Sequence, residues 1–158
     1  MGGGEEHGSL RVLVALDGSD GAERAADFVA IHLAPSAQVL AINVAPVPVP
    51  YAPSIGWGLV RPWSATAGMA VTAEEIDRRS DELRTAGRQA VAASPVDPDE
   101  VIIELGDPSD RILSAARHHG VGLIVVGASR DGLLSRVLHG STSSELLRTH
   151  EFPVLVVP

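Results

Sequence analysis

The sequence predicts an α/β fold: a doubly wound, parallel five-stranded sheet in the order 3-2-1-4-5, with helices on both faces. Three observations lead there. Short apolar runs recur at residues 12–16, 39–44, 101–105, 123–126 and 153–158, and near-continuous apolar runs suit parallel strands that are covered on both faces. The segments between them repeat their apolar residues every three or four positions, as amphipathic helices do. Turn residues stand at the junctions, so strands and helices alternate in the pattern of a doubly wound sheet.

The first strand, VLVAL, runs into Asp17-Gly18-Ser19. From Asp20 onward Ala22, Ala25, Ala26, Val29, Ala30 and Leu33 make one face of a helix, and Pro35 lies just past its end. Residues 39–44 form the second strand, interrupted only by Asn43, so this part of the chain is a βαβ unit with a right-handed crossover. Asp17 falls at the carboxyl end of the first strand, where open α/β sheets bind ligands. Its carboxylate there can accept hydrogen bonds from an adenine amino group or a ribose, or it can close a turn on the following backbone. Both readings stand at this point.

Residues 45–71 change character, with Pro46, Pro48, Pro50, Pro53 and Pro62 among Gly56, Gly58 and Gly68 and no helical or strand period. A loop of that length in a compact domain is usually functional or disordered. It holds Tyr51, Trp57 and Trp63, which favours a lid, a partner surface or an oligomer contact. Thr72 and Glu75 fit a capping box that opens the second helix, whose expected apolar stripe is Ile76, Leu83, Ala86, Ala90 and Val91. Pro95 and Pro98 end that region. Residues 101–105 are the third strand, followed by Asp107 as a helix cap and Pro108 at the first helical position. The third helix buries Ile112, Leu113, Ala115 and Ala116 and stops at Gly120. His118 and His119 are adjacent and point to different sides, so they complement the helix dipole and do not make the i, i+4 pair of a zinc site. No metal-ligand cluster is assigned.

The stretch LIVVGASRDGLLSRVLHGSTSS, residues 123–144, organises the rest. Its apolar strand ends at Gly127, Gly132 and Gly140 permit close backbone approach, and Ser141, Thr142 and Ser143 stand where the last helix begins. Backbone N–H groups and hydroxyls at a helix start make a phosphate cradle. Leu146 and Leu147 give that helix its apolar side. The closing Val-rich strand, residues 153–158, is expected at a sheet edge, where pairing with a second copy would make a homodimer.

Composition bounds the function. The 158 residues, 45% of them hydrophobic, suffice for one domain, expected over residues 10–158, with residues 1–9 a disordered leader or a cloning remnant that lacks the features of a signal peptide. No run approaches a membrane span. A net charge of −8 with scattered basic residues argues against nucleic-acid binding. Cysteine is absent, which removes disulfides and thiolate chemistry and fits a cytoplasmic location. All 12 basic residues are arginine, so neither a Schiff base nor a P-loop lysine exists.

Three segments carry a family resemblance. VLVALDGSDGAERAADFVA, IELGDPSDRIL and LIVVGASRDGLLSRVLHGSTSSELLRTHEFPVLVV look like the universal stress protein family, and the resemblance spans residues 11–158. Members that bind ATP carry glycine, two residues, glycine, nine residues, then glycine and a Ser or Thr. Gly127, Gly140 and Ser141 match this motif, but Arg130 stands at the second glycine position. The resemblance implies that Ala15 and Asp17 approach a nucleoside and that Val44 lines the base pocket. It also implies that Gly127, Ala128, Ser129, Arg130, Asp131, Gly132 and Leu133, with Gly140, Ser141 and Thr142, hold ribose and phosphates. The implied ligand is ATP, or AMP or ADP, with Mg2+ as a companion. Arg130 either closes the cradle or pairs its guanidinium with a phosphate, and Gly132 can supply the lost flexibility.

A P-loop NTPase does not fit, since Leu133 and Leu134 occupy the lysine and hydroxyl positions of that motif. A response-regulator receiver would use Asp17 but needs the absent lysine. Asp131 is the only acidic residue within the loop, which leaves little for an ATP-hydrolysing centre. The expectation is a nucleotide-binding, stress-response regulatory module acting as a homodimer with little or no catalysis. A nucleotide-independent dimeric scaffold and a slow ATPase are the alternatives.

Overall fold

The computed structural model describes residues 9–47, 73–128 and 141–158. Thr72 and all but the first three residues of the proline-rich stretch at 45–71 lie outside them, as does nearly all of the expected leader. Nine elements follow in order: β1 (Leu10–Ala15), α1 (Asp20–His32), β2 (Ala37–Ala45), α2 (Ala73–Ala92), β3 (Glu100–Leu105), α3 (Pro108–His119), β4 (Leu123–Gly127), α4 (Ser141–Thr149) and β5 (Val154–Val157). The strands form one sheet in the order β3-β2-β1-β4-β5. Every pairing is parallel, with Val12 opposite Val39 on one side and Leu123 on the other. Fold class and strand order are as the sequence predicts.

Period-two alternation distributes the strand side chains between two cores. On one face Val12, Val14, Val39, Ala41 and Val125 pack under α1 and α2. On the other Leu13, Leu40, Ile42, Ile124 and Val126 pack under α3 and α4. The expected stripes of α1 and α3 are largely buried, Ala22, Ala25, Ala26 and Val29 in the first and Ile112, Leu113, Ala115 and Ala116 in the second. Asp107 and Gly120 cap α3 as the sequence suggests, and Ser19 caps α1. Ser19 Oγ accepts from the Ala22 N–H, the Asp107 carboxylate accepts from the Asp110 N–H, and Gly120 ends α3 in the left-handed conformation at φ 61°.

Two expectations are corrected. Ala45 belongs to β2, not to the following loop. The α2 stripe is also composed differently: Ala86 is exposed, and the buried residues are Ser80, Gly87 and Val91. The reason is close approach. A Cβ on Gly87 would lie 2.4 Å from Asn43 Oδ1, so α2 settles on the sheet through a residue with no side chain.

β3 and β5 are the two edges among the described strands. Near β5, the Arg117 guanidinium makes two bonds to Glu151, at 2.5 and 2.6 Å, and ties the last turn of α3 to the approach of that edge strand. Ser109, buried at the start of α3, donates to Glu145 of α4 at 3.0 Å.

Candidate functional site

β1 and β4 are neighbours, but the chain leaves β1 toward α1 on one face and leaves β4 toward α4 on the other. The divergence opens a crevice at the carboxyl ends of the strands. Its β1 side begins at Leu16, whose N–H donates to the Ile42 carbonyl at 2.8 Å. Its carbonyl accepts from Asn43 Nδ2 at 2.6 Å. The chain then turns through Gly18 at φ 81°, and the Ser19 N–H donates to Asp17 Oδ1 at 2.9 Å. The carboxylate of Asp17 therefore closes the turn while it stands exposed at the mouth of the crevice. The two readings of Asp17 are compatible.

On the β4 side, Gly127 meets the backbone of α1. A Cβ there would lie 2.0 Å from the Gly21 carbonyl oxygen, and one on Gly21 would lie 2.5 Å from the Ala128 oxygen. Two glycines thus let the first turn of α1 touch the end of β4. The next residue is held from both sides: the Ala128 N–H donates to the Val157 carbonyl at 2.7 Å, and the Ala128 carbonyl accepts from Arg24 Nη2 at 3.2 Å. Arg24 Nε also donates to the Pro158 carbonyl at 2.8 Å, joining α1 to the end of the edge strand.

A cavity of about 410 Å³ occupies the crevice. Ala15, Ile42, Val44 and Val126 line its sheet side, and Pro108 and Ile112 of α3 form an apolar wall. Leu16, Asp17, Ser19, Ala22 and Gly127 border the α1 side, and Thr142 and Ser143 bring in the first turn of α4. That volume suits a small organic ligand, and an apolar slot with a few polar groups at one side is the usual make-up of such a pocket. The first-turn N–H groups of a helix lack intrahelical partners and carry the positive end of its dipole. The first turns of α1, α2 and α3 contain carboxylates, whereas that of α4 contains none, which leaves its positive end uncompensated by its own acidic side chains. The displaced carboxyl pKa values lie away from the cavity: Arg78 and Arg79 hold Glu75 below its ordinary range, and Arg117 does so for Glu151.

Of the residues named from sequence, Ala15, Asp17, Val44, Gly127 and Thr142 come together on this cavity. Ala128 lies next to it without lining it, and Ser141 begins α4. Ser129, Arg130, Asp131, Gly132, Leu133 and Gly140 lie outside the described residues. Sequence reasoning missed Leu16, Ser19, Ala22, Ile42, Pro108, Ile112 and Val126 as lining residues, whereas Ser143, read as part of the cradle at the start of the last helix, does line it. Ser19 and Pro108 were within reach, because each starts a helix after a strand and so lies at the carboxyl end of the sheet.

Fold and site together define a doubly wound α/β domain with a cavity of about 410 Å³ at its switch point. The particular family follows from comparison. The chain belongs to the universal stress protein family, whose model matches residues 9–158. It is 32% identical over 155 residues to the universal stress protein YxiE of Bacillus subtilis, covering 93% of this chain and 97% of that one. Among solved structures it resembles a universal stress protein in complex with cAMP, with a TM-score of 0.51 and 25% identity over 94% of this chain and 96% of that one. A family member from Arabidopsis thaliana with AMP bound shares the fold at a TM-score of 0.51 and 18% identity, over 94% and 90% of the two chains.

Proposed function

We propose that this universal stress protein is an ATP-binding regulatory module that acts as a homodimer with little or no catalysis. The observation that carries the reading is the switch-point cavity, with its apolar slot, the Asp17 carboxylate at its mouth and the start of α4 beside it. Those parts fit a nucleotide. Ala15, Ile42, Val44 and Ile112 would take the flat, apolar faces of a base, and Asp17 would accept hydrogen bonds from a ribose hydroxyl or an amino group. The N–H groups of the α4 first turn and the Thr142 hydroxyl would face phosphate oxygens. The similar structures with cAMP and AMP support the same ligand class. A divalent cation would enter with the phosphates that carry it.

For the dimer, the support is the position of β5 at one edge of the sheet, where a second copy could continue the ladder. Nucleotide would then act by ordering the start of α4 and altering contacts made by the dimer.

Calorimetric titration of the nucleotide-stripped protein with ATP and AMP, with and without magnesium, tests the reading. Mass spectrometry of any ligand released on denaturation accompanies it. Saturable binding at one site per chain is expected, lost in Ala15→Leu, which fills the slot. No heat and no co-purified nucleotide would overturn it in favour of the dimeric scaffold in which Arg130 closes the cradle.

A further inference from the structure

We propose that Asn43 is a positioning residue for the cavity, acting through Leu16 and Asp17 without touching the ligand; the inference rests on the nucleotide reading above. Asn43 lies on the β2 face that packs under α1 and α2, opposite Ile42 and Val44, and it is not among the cavity-lining residues. It is 8% exposed. The strand residues that share its face, Val39 and Ala41, are apolar and fully buried. An amide in such a place is costly unless it is hydrogen-bonded, so its retention calls for a partner that an apolar side chain could not serve.

The partner is the Leu16 carbonyl, 2.6 Å from Nδ2. A carbonyl accepts only, so the amide end that faces it is the NH2. Leu16 lies one residue past β1, where regular sheet pairing ceases, and its N–H still bonds to Ile42. Its carbonyl is then carried by a side chain of the neighbouring strand. The result fixes both backbone groups of the residue immediately before Asp17. The residue two positions after Asp17 is fixed as well, because the Ser19 N–H bonds the Asp17 carboxylate itself.

A third element holds the amide in place. Gly87 of α2 lies directly over it, and a Cβ there would stand 2.4 Å from Asn43 Oδ1 and 3.0 Å from Cγ. The absent side chain is what allows α2 to close on Asn43. β1, β2 and α2 therefore meet at one amide that sets the direction in which Asp17 leaves the sheet.

The test uses two substitutions with opposite steric effects. Asn43→Ala removes the donor and leaves a void, whereas Gly87→Ala keeps the donor and pushes it aside. Both are expected to weaken ATP binding about tenfold, and to do so less than about twofold when placed in an Asp17→Asn background, since residues that act through one another are not additive. A second signal needs no ligand. In both variants the Ser19 amide proton, bonded in the parent to the Asp17 carboxylate, should move in the NMR spectrum toward its position in Asp17→Ala, where that bond is absent. Unchanged affinity, additive losses, or a Ser19 amide position equal to the parent's in both variants would overturn the proposal, even if melting temperatures fall. Should the parent bind no ATP, the nucleotide reading fails, and the Ser19 amide position alone decides whether Asn43 positions Asp17. Gly87→Ala keeps the question open to measurement if Asn43→Ala does not fold.

Discussion

Replacing Gly127 with alanine separates two uses of that residue. The family resemblance implies that Gly127 holds ribose and phosphates, whereas the fold shows it meeting α1. An added Cβ would lie 2.0 Å from the Gly21 oxygen, 2.1 Å from the Gly21 carbonyl carbon and 2.7 Å from the Ala22 nitrogen. All three are main-chain atoms, so no rotamer change relieves the clash. The Gly21 oxygen would have to retreat from 2.0 Å to the 3.4 Å of an ordinary contact. That retreat moves a helix whose Ala22, Ala25, Ala26 and Val29 are embedded in the core. Overpacking of this kind costs up to about 3 kcal/mol, and occasionally more. The smaller conformational freedom of alanine in the unfolded chain offsets about 0.7 kcal/mol of it. The net loss is therefore about 2 kcal/mol, or roughly 4–8 °C in melting temperature for a chain of this size. Thermal and urea denaturation followed by circular dichroism measure it. Gly122→Ala is the control, since its nearest obstacle, 2.8 Å away, is the end of the Leu10 side chain, which can rotate. A Gly127→Ala protein as stable as the parent but unable to bind nucleotide would refute the packing argument and return Gly127 to the ligand.

Three further outcomes are expected. Ser19→Ala removes the acceptor for the Ala22 N–H and should cost about 1 kcal/mol, read as a lowered urea midpoint. Asp17→Asn keeps an oxygen for the Ser19 N–H but removes the charge, so stability should hold while ATP affinity falls; Asp17→Ala should lose affinity and also about 1 kcal/mol of stability with the turn bond. Hydrogen bonding from Arg117, with burial opposing and charge attraction adding, lowers the Glu151 carboxyl pKa in the folded state. The stability from that exposed pair is accordingly present above the ordinary carboxylate range and lost as pH falls through the lowered value. The small difference in melting temperature between the parent and Glu151→Gln should close on acidification and shrink in high salt; a difference that widens toward low pH would contradict the assignment.

Much of the fold was legible because its signals are local. Apolar runs, three-four periods and caps such as Asp107-Pro108 depend on residues a few positions apart, and the strand order follows once the connections alternate. The site was partly legible. Asp17, Gly127 and Thr142 could be named because strand ends and helix starts in such a sheet share one rim, and Ala15 and Val44 because the family resemblance implied them.

The sequence by itself determined the doubly wound architecture and the rim on which ligand-facing groups must lie. Tertiary structure alone decided the partners of Asn43, Gly87, Gly21 and Arg24. In the sequence Asn43 reads only as an interruption in a strand. Each of the four makes sense only beside an atom far along the chain: Asn43 against the Leu16 carbonyl and Gly87 against Asn43, Gly21 against Ala128, and Arg24 between Ala128 and Pro158. Periodicity specifies which face of an element is buried; it carries no information about which buried atoms meet, because that depends on how closely separately formed elements approach one another.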